Sequence, residues 1–196
     1  QSITPSLLDK CYANLRAGHA KFALFEANQT FAKSRGVDAD NVPLNKHNLG
    51  FVLVDQTSNS NYYLAKKYVE ELLKVLGIEF KLEKFAETKD KVNAHYEALR
   101  SANIVVNGEV IGYLGEVKNS VLKNFKLPQG TAIFDLDLEK LVELKQDTVE
   151  KKFKISNYPF VSRDITLSLE GDVEYAKIEE ALRTILEEKN LIPMIL

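Results

Sequence analysis

The stretch ANIVVNGEVIGYLGEV, residues 102–117, constrains this chain most. Two runs rich in β-formers are separated by Asn107-Gly108. A two-residue connection between strands needs positive φ at both positions, and Asn-Gly supplies that at the least steric cost. The stretch therefore predicts a hairpin and, with it, an antiparallel sheet. Gly112 and Gly115 fall inside the hairpin, not at a strand-to-helix turn. They mark close packing or a bulge, not a loop that cradles phosphate.

Around the hairpin, strands and helices are interspersed. ITPSLLDKCYANLRAGHA opens with a helix: Thr4 stands where a cap belongs, Pro5 suits the first turn, Leu7, Leu8, Cys11 and Leu15 share a face, and Gly18 stops it. AKFALFEANQTF reads as a strand, with Phe22, Leu24 and Phe25 as core candidates. SRGVDADNVPLNKHN is polar and turn-rich and predicts a loop, and LGFVLVDQ after it predicts a buried strand. The plainest helix is NYYLAKKYVEELLKVLG, where Leu64, Ala65, Tyr68, Val69, Leu72, Leu73 and Leu76 keep the 3.6 period and Gly77 ends it. IEFKLEKF and TAIFDLDL alternate as strands; NSVLKNFKLP and LEKLVEL predict short helices.

Residues 1–145 thus read as an α+β unit with a mixed, largely antiparallel sheet. KQDTVEKKFK is charged and lacks apolar periodicity, so residues 146–153 predict a linker. Residues 154–196 follow as a second unit: a turn at Pro159, the strand DITLSLEG, and a helix whose apolar face is Ile178, Ala181, Leu182, Ile185 and Leu186.

The formal charge is −2 with 45% hydrophobic and 28% charged residues, which is ordinary for a globular protein. Each side of Glu150 carries slightly more acidic than basic residues, so neither is a basic module. No run is long and apolar enough for a bilayer, so no membrane partner is expected. A single cysteine, Cys11, rules out an internal disulfide and a cysteine-built zinc site, and fits a reducing cytoplasm. His19, His47 and His95 have no metal-binding spacing, and no metal site is expected. Nucleophile-elbow, phosphate-loop and dinucleotide motifs are absent, so no catalytic residues are assigned. Glu26, between apolar neighbours, reads as a strand-end carboxylate paired with a nearby arginine or lysine.

Residues 153–183 carry Ile155-Ser156, Tyr158-Pro159 and Arg163-Asp164 before the alternating Ile165, Leu167 and Leu169. This resembles the start of the ferredoxin-fold anticodon-binding domain that closes the beta subunit of bacterial phenylalanyl-tRNA synthetase. Ser6-Leu7-Leu8, Asn14, Phe25-Glu26 and Phe31 match an earlier block of that family. His95, Arg100-Ser101-Ala102, Gly108, Gly112 and Gly115-Glu116 match another, in the family's order. The chain departs from the pattern at Asn28, at Tyr96 to Leu99 and at Lys118-Asn119, so functions of those loops are not carried over.

The resemblance implies a non-catalytic, degenerate class II synthetase-like core over 1–145, a linker, and an incomplete ferredoxin-like β-α unit over 154–196. It implies a catalytic alpha subunit and tRNA as partners, an α2β2 assembly, and ATP and magnesium in the whole enzyme, with no cofactor in this part. A lone β-α pair leaves its sheet unsheltered, so the chain is expected to be a piece of a longer subunit. Lys151, Lys152, Lys154 and Arg163 are the candidate RNA contacts, as phosphate-facing cations. Pro159, Asp164, Asn107 and Gly108 are structural candidates, and Arg163-Asp164 can equally pin a turn as an ion pair. Two other readings stand beside this one. An independent α+β enzyme would use a carboxylate and histidine, Glu26 with His95; an interaction domain would dimerise through an open strand edge.

Overall fold

The computed structural model describes residues 2–31, 35–88, 92–145, 166–169, 171 and 173–188. Two compact units are distinguished, Gln1–Glu150 and Lys151–Leu196. The expected linker, 146–153, lies outside the described residues.

The first unit is a six-stranded sheet in the order β1-β2-β6-β5-β4-β3, with every pairing antiparallel. The strands are β1 (Lys21–Phe31), β2 (Asn45–Asp55), β3 (Lys81–Lys84), β4 (Tyr96–Val106), β5 (Glu109–Val117) and β6 (Ala132–Asp137). The helices are α1 (Thr4–Arg16), α2 (Tyr62–Val75), α3 (Asn119–Phe125) and α4 (Leu138–Leu144). Because side chains alternate along a strand, the sheet buries two different apolar rows. Phe51, Leu53, Ile104, Leu114, Phe134 and Leu136 pack against Ala65, Val69 and Leu73 of α2. Phe51 and Phe134 stack at 4.5 Å, pairing β2 to β6 through their side chains. On the other face, Val52, Val54, Tyr96 and Ile133 pack with Leu7, Leu8 and Cys11 of α1 and Leu122 of α3. Each such side chain contributes about 1.5–3 kcal/mol by leaving water. The start of α1 rests on Gly50, where a Cβ would lie 2.7 Å from Ile3 Cδ1.

Four local expectations are corrected. Thr4 is the first helical residue, not the cap; its N–H donates to Ser2 Oγ at 3.2 Å. Asn45 to Asn48, expected in a loop, extend β2 and pair with β1 as far as Phe31↔Asn45. They escape an apolar-alternation test because a polar ladder holds them: Thr30 Oγ1 donates to Asn48 Oδ1 at 2.9 Å, and Asn45 Nδ2 donates to Gln29 Oε1 at 3.2 Å. Phe25 is not core but 78% exposed. Its neighbours Phe22 and Leu24 pack into the α1 layer, and strand parity then turns Phe25 to the opposite face, where α2 lies over β5 and β6.

The fourth lies in the second unit. The expected strand residues Thr166 to Leu169 are not in a strand, and Leu167 and Leu169 are about half exposed. A strand exists only through its ladder, and no strand pairs with these residues among those described. The helix forms as expected, α5 (Tyr175–Glu188), with Ile178, Leu182 and Leu186 its partly buried row and Ile185 exposed. Pro159, Arg163, Asp164 and Ile165 lie outside the described residues.

Candidate functional site

One block of family-like residues, from Arg100 to Glu116, lies in the β4–β5 hairpin. Asn107 and Gly108 have φ of +52° and +81°, as the turn requires. The pairing steps from Tyr96↔Val117 to Ser101↔Gly115, so residues 97–100 stand opposite Glu116 alone and bow outward. Leu99 on this bow is 95% exposed. Arg100 folds back, its Nη1 donating to Glu116 Oε2 at 2.8 Å, and Ser60 Oγ donates to the other Glu116 oxygen. Glu116 is buried, so these two donors are what make its charge tolerable there. Ser101 Oγ donates to Glu97 O at 2.7 Å and sits against Gly115, where no Cβ fits. Gly112 likewise lies against the Asp135 carbonyl and Leu136, beside a second bulge between Ile104 and Val105. The glycines mark close packing and bulges, as the sequence indicates.

Beside the hairpin, on the α1 side of the sheet, lies a cavity of about 230 Å3. Arg35, with Lys46 and Asn48 of β2, Tyr113 of β5, and Asp135 and Asp137 of β6 line it, two cations facing two carboxylates, with His95 and Tyr96 at its edge. Asp135 is only 8% exposed. It accepts from Asn48 Nδ2 at 3.1 Å and Ser2 Oγ at 3.2 Å, yet burial pushes its carboxyl above the ordinary range. Asp137 is differently engaged. Its Oδ1 caps α4, accepting from the N–H of Glu139 and Lys140 at 3.1 and 3.2 Å, and its Oδ2 pairs with Lys46 Nζ at 2.6 Å. Tyr96 is fully buried, and its hydroxyl donates to Tyr113 O at 3.3 Å. Burial, and secondarily Lys118, hold His95 down at about 4, against a hydrogen bond to the Val92 backbone. His95 is therefore neutral near pH 7, and its buried Nε2 has no hydrogen-bond partner among the described residues.

The remaining candidates do not join this cavity. Glu26 accepts from Asn28 Nδ2 at 2.7 Å on β1 and is not on the cavity wall that holds His95, so the carboxylate–histidine pair of the independent-enzyme reading does not assemble. His47 bonds Gln29 and Glu139 at the surface. The Cys11 thiol is buried, pushed up to about 12, and donates to Leu7 O at 3.2 Å, as an inert core residue does. Lys151, Lys152, Lys154 and Arg163 lie outside the described residues. Among the described residues, no group of three or more His, Cys, Asp or Glu converges as for a metal. Sequence reasoning missed Asp135, Asp137, Asn48 and Ser2. Their one local signal is TAIFDLDL, in which two carboxylates take alternate positions in an otherwise apolar strand.

An antiparallel six-stranded sheet flanked by helices in this order is the class II aminoacyl-tRNA synthetase type of fold. A pyrrolysyl-tRNA synthetase from Desulfitobacterium hafniense shares it with a TM-score of 0.54 and 15% identity, over 71% of this chain and 47% of that one. Within that class, residues 1–138 match the phenylalanyl tRNA synthetase beta chain CLM domain, and the chain belongs to that family. A phenylalanine–tRNA ligase beta subunit from Bacillus licheniformis is 29% identical over 193 residues, 93% of this chain and 23% of that protein. That from Clostridium acetobutylicum is 25% identical over 191 residues, 95% of this chain and 23% of the relative. The chain thus spans about a quarter of these relatives' length.

Proposed function

We propose that this chain is a supporting part of a phenylalanine–tRNA ligase beta subunit. It braces a catalytic alpha subunit while the whole enzyme joins phenylalanine to its tRNA with ATP and magnesium. The match of residues 1–138 to the CLM domain carries this reading, because it coincides with the six-stranded unit. The docking surface we favour for the alpha subunit is the outer row of β1. It is an edge strand of the sheet among the described residues, and Ala23, Phe25, Ala27 and Phe31 lie exposed along it. The cluster Lys151, Lys152, Lys154 and Arg163 is assigned to tRNA phosphates, and the assembly to α2β2 in the cytoplasm.

Co-expression with a cognate alpha subunit tests this. The chain is expected to co-purify with it, and Phe25→Asp with Phe31→Asp is expected to abolish capture while leaving the fold intact. Capture unchanged by both substitutions would remove β1 from the interface. Mixed with phenylalanine, ATP, magnesium and tRNA but no alpha subunit, the chain should give no aminoacyl-tRNA; product would overturn the non-catalytic assignment. Replacing the four basic residues by alanine should lower tRNA affinity and flatten its salt dependence.

A further inference from the structure

We propose that two copies of this chain pair through β1, edge to edge and antiparallel, with the two Phe25 residues facing each other across a two-fold axis. The inference does not rest on the supporting role above. A second copy and an alpha subunit use the same row and exclude one another, and either assignment can fail alone.

The sheet ends in β1 on one side and β3 on the other. β3 is guarded: it runs only over Lys81–Lys84, and three of its four residues are charged. Short length and charge are ordinary defences of a sheet edge. β1 has neither. It runs from Lys21 to Phe31, pairs with β2 without a bulge, contains no proline, and carries charge only at Lys21 and Glu26. Among the described residues no strand pairs with its outer side, where its backbone N–H and C=O groups offer a template for another strand.

The side-chain pattern selects the partner. Ala23, Phe25 and Ala27 share one face of β1, small-aromatic-small about Phe25, and all three are exposed. A two-fold axis through Phe25, perpendicular to the sheet, lays this pattern on itself. Phe25 then stands opposite Phe25, Ala23 opposite Ala27, Leu24 opposite Glu26 and Lys21 opposite Gln29. Such a surface is self-complementary, as an isologous dimer requires. Phe25 also ends an aromatic row: it is the register partner of Phe51, and Phe51 is the partner of Phe134, stacked on it at 4.5 Å. Phe25 is 78% exposed, and the partner's Phe25 would continue the row. Neighbouring registers are worse. Centring the pair on Glu26 opposes two like charges, and centring it on Leu24 sets each Phe25 against Ala23 and breaks the row. Residues 21–29 of each copy fall short of the roughly 20–30 residues a side of a standard interface, so the dimer is weak and concentration-dependent.

An equimolar mixture of Ala23→Cys and Ala27→Cys chains, oxidised with diamide, tests the register. Directly opposed residues have Cβ atoms about 4.5–5.5 Å apart, close enough to bridge. The native Cys11 is buried and inert. The mixture is expected to give a disulfide-linked dimer, and each variant alone is expected to give none. Sedimentation equilibrium of the unsubstituted chain should show a monomer–dimer equilibrium. Phe25→Asp is expected to shift it to monomer, and Leu99→Asp, on the β4 bow, is expected to leave it unchanged. A chain that stays monomeric to millimolar concentration, a dimer whose cysteine mixture does not cross-link, or cross-linking by Ala27→Cys alone would each overturn the proposal. Should Phe25→Asp not fold, the cysteine mixture still decides it. Neither measurement contains an alpha subunit, so neither bears on the supporting role.

Discussion

Gly115→Ala isolates the contact that seats β5 against the bowed strand β4. An ideal Cβ at position 115 would lie 2.5 Å from Ser101 Cβ and 2.8 Å from Ser101 Cα, with Ser101 Oγ nearer still. Two of those atoms belong to one small side chain, and the third is backbone in a paired strand, so the new methyl must push β4 and β5 apart. Overpacking of this kind costs about 1–3 kcal/mol. The alanine recovers roughly 0.4–1 kcal/mol by restricting the unfolded chain, which leaves a net loss of about 1–2 kcal/mol. If Ser101 is the obstacle, the same substitution in a Ser101→Gly background loses two of its three clashes and should cost about 0.5 kcal/mol, a coupling near 1 kcal/mol between the sites. Ser101→Gly has its own cost, since the 2.7 Å bond to Glu97 O disappears, but the cycle subtracts it. Urea unfolding followed by far-ultraviolet circular dichroism reads all four proteins, with m-values compared to confirm that only stability has changed. Equal destabilisation by Gly115→Ala in the two backgrounds would refute the account, because additivity means the two residues do not meet.

Leu73→Ala empties the middle of the α2 layer, where Leu73 is fully buried, and is expected to cost about 2–5 kcal/mol by calorimetry. His95 sets a pH dependence. Its folded value, about 4, lies below the unfolded value of roughly 6.5, so protonation favours unfolding. The contribution is fully present above the unfolded value and is lost as pH falls from about 6.5 towards 4, by up to about 3 kcal/mol; His95→Gln should remove that part of the slope in unfolding curves taken across this range. Phe25→Asp, at a 78% exposed site, is expected to change stability by less than about 0.5 kcal/mol, so any lost capture of an alpha subunit reports an interface and not a damaged fold.

Legibility followed the nature of each signal. Helix α2 and the hairpin turn were readable because period and turn chemistry are local: seven apolar positions define the helix face, and Asn107-Gly108 permits few other backbones. The polar end of β2 was not, because Asn45 to Asn48 are held by cross-strand partners on β1, at a separation no local pattern records. Phe25 misled for a related reason. Its apolarity predicts burial, but burial depends on whether another element arrives to cover that row. The cavity was the least legible feature. Asp135, Asn48, Ser2, Tyr96 and His95 come from four different places in the chain, brought together by the register of the sheet and by the segments that lead into α1 and β4.

By itself, then, the amino-acid order determined the helices, the antiparallel hairpin, the sites of the tight glycines and, through motifs in sequence, the family. Those properties rest on backbone preferences and short-range periodicity, which act over a few residues. Only the tertiary structure decided which carboxylate was buried, which histidine was stripped of solvent and which strand lay at the sheet edge. Burial and charge compensation are set by groups distant along the chain, and they exist only once the sheet has closed its register.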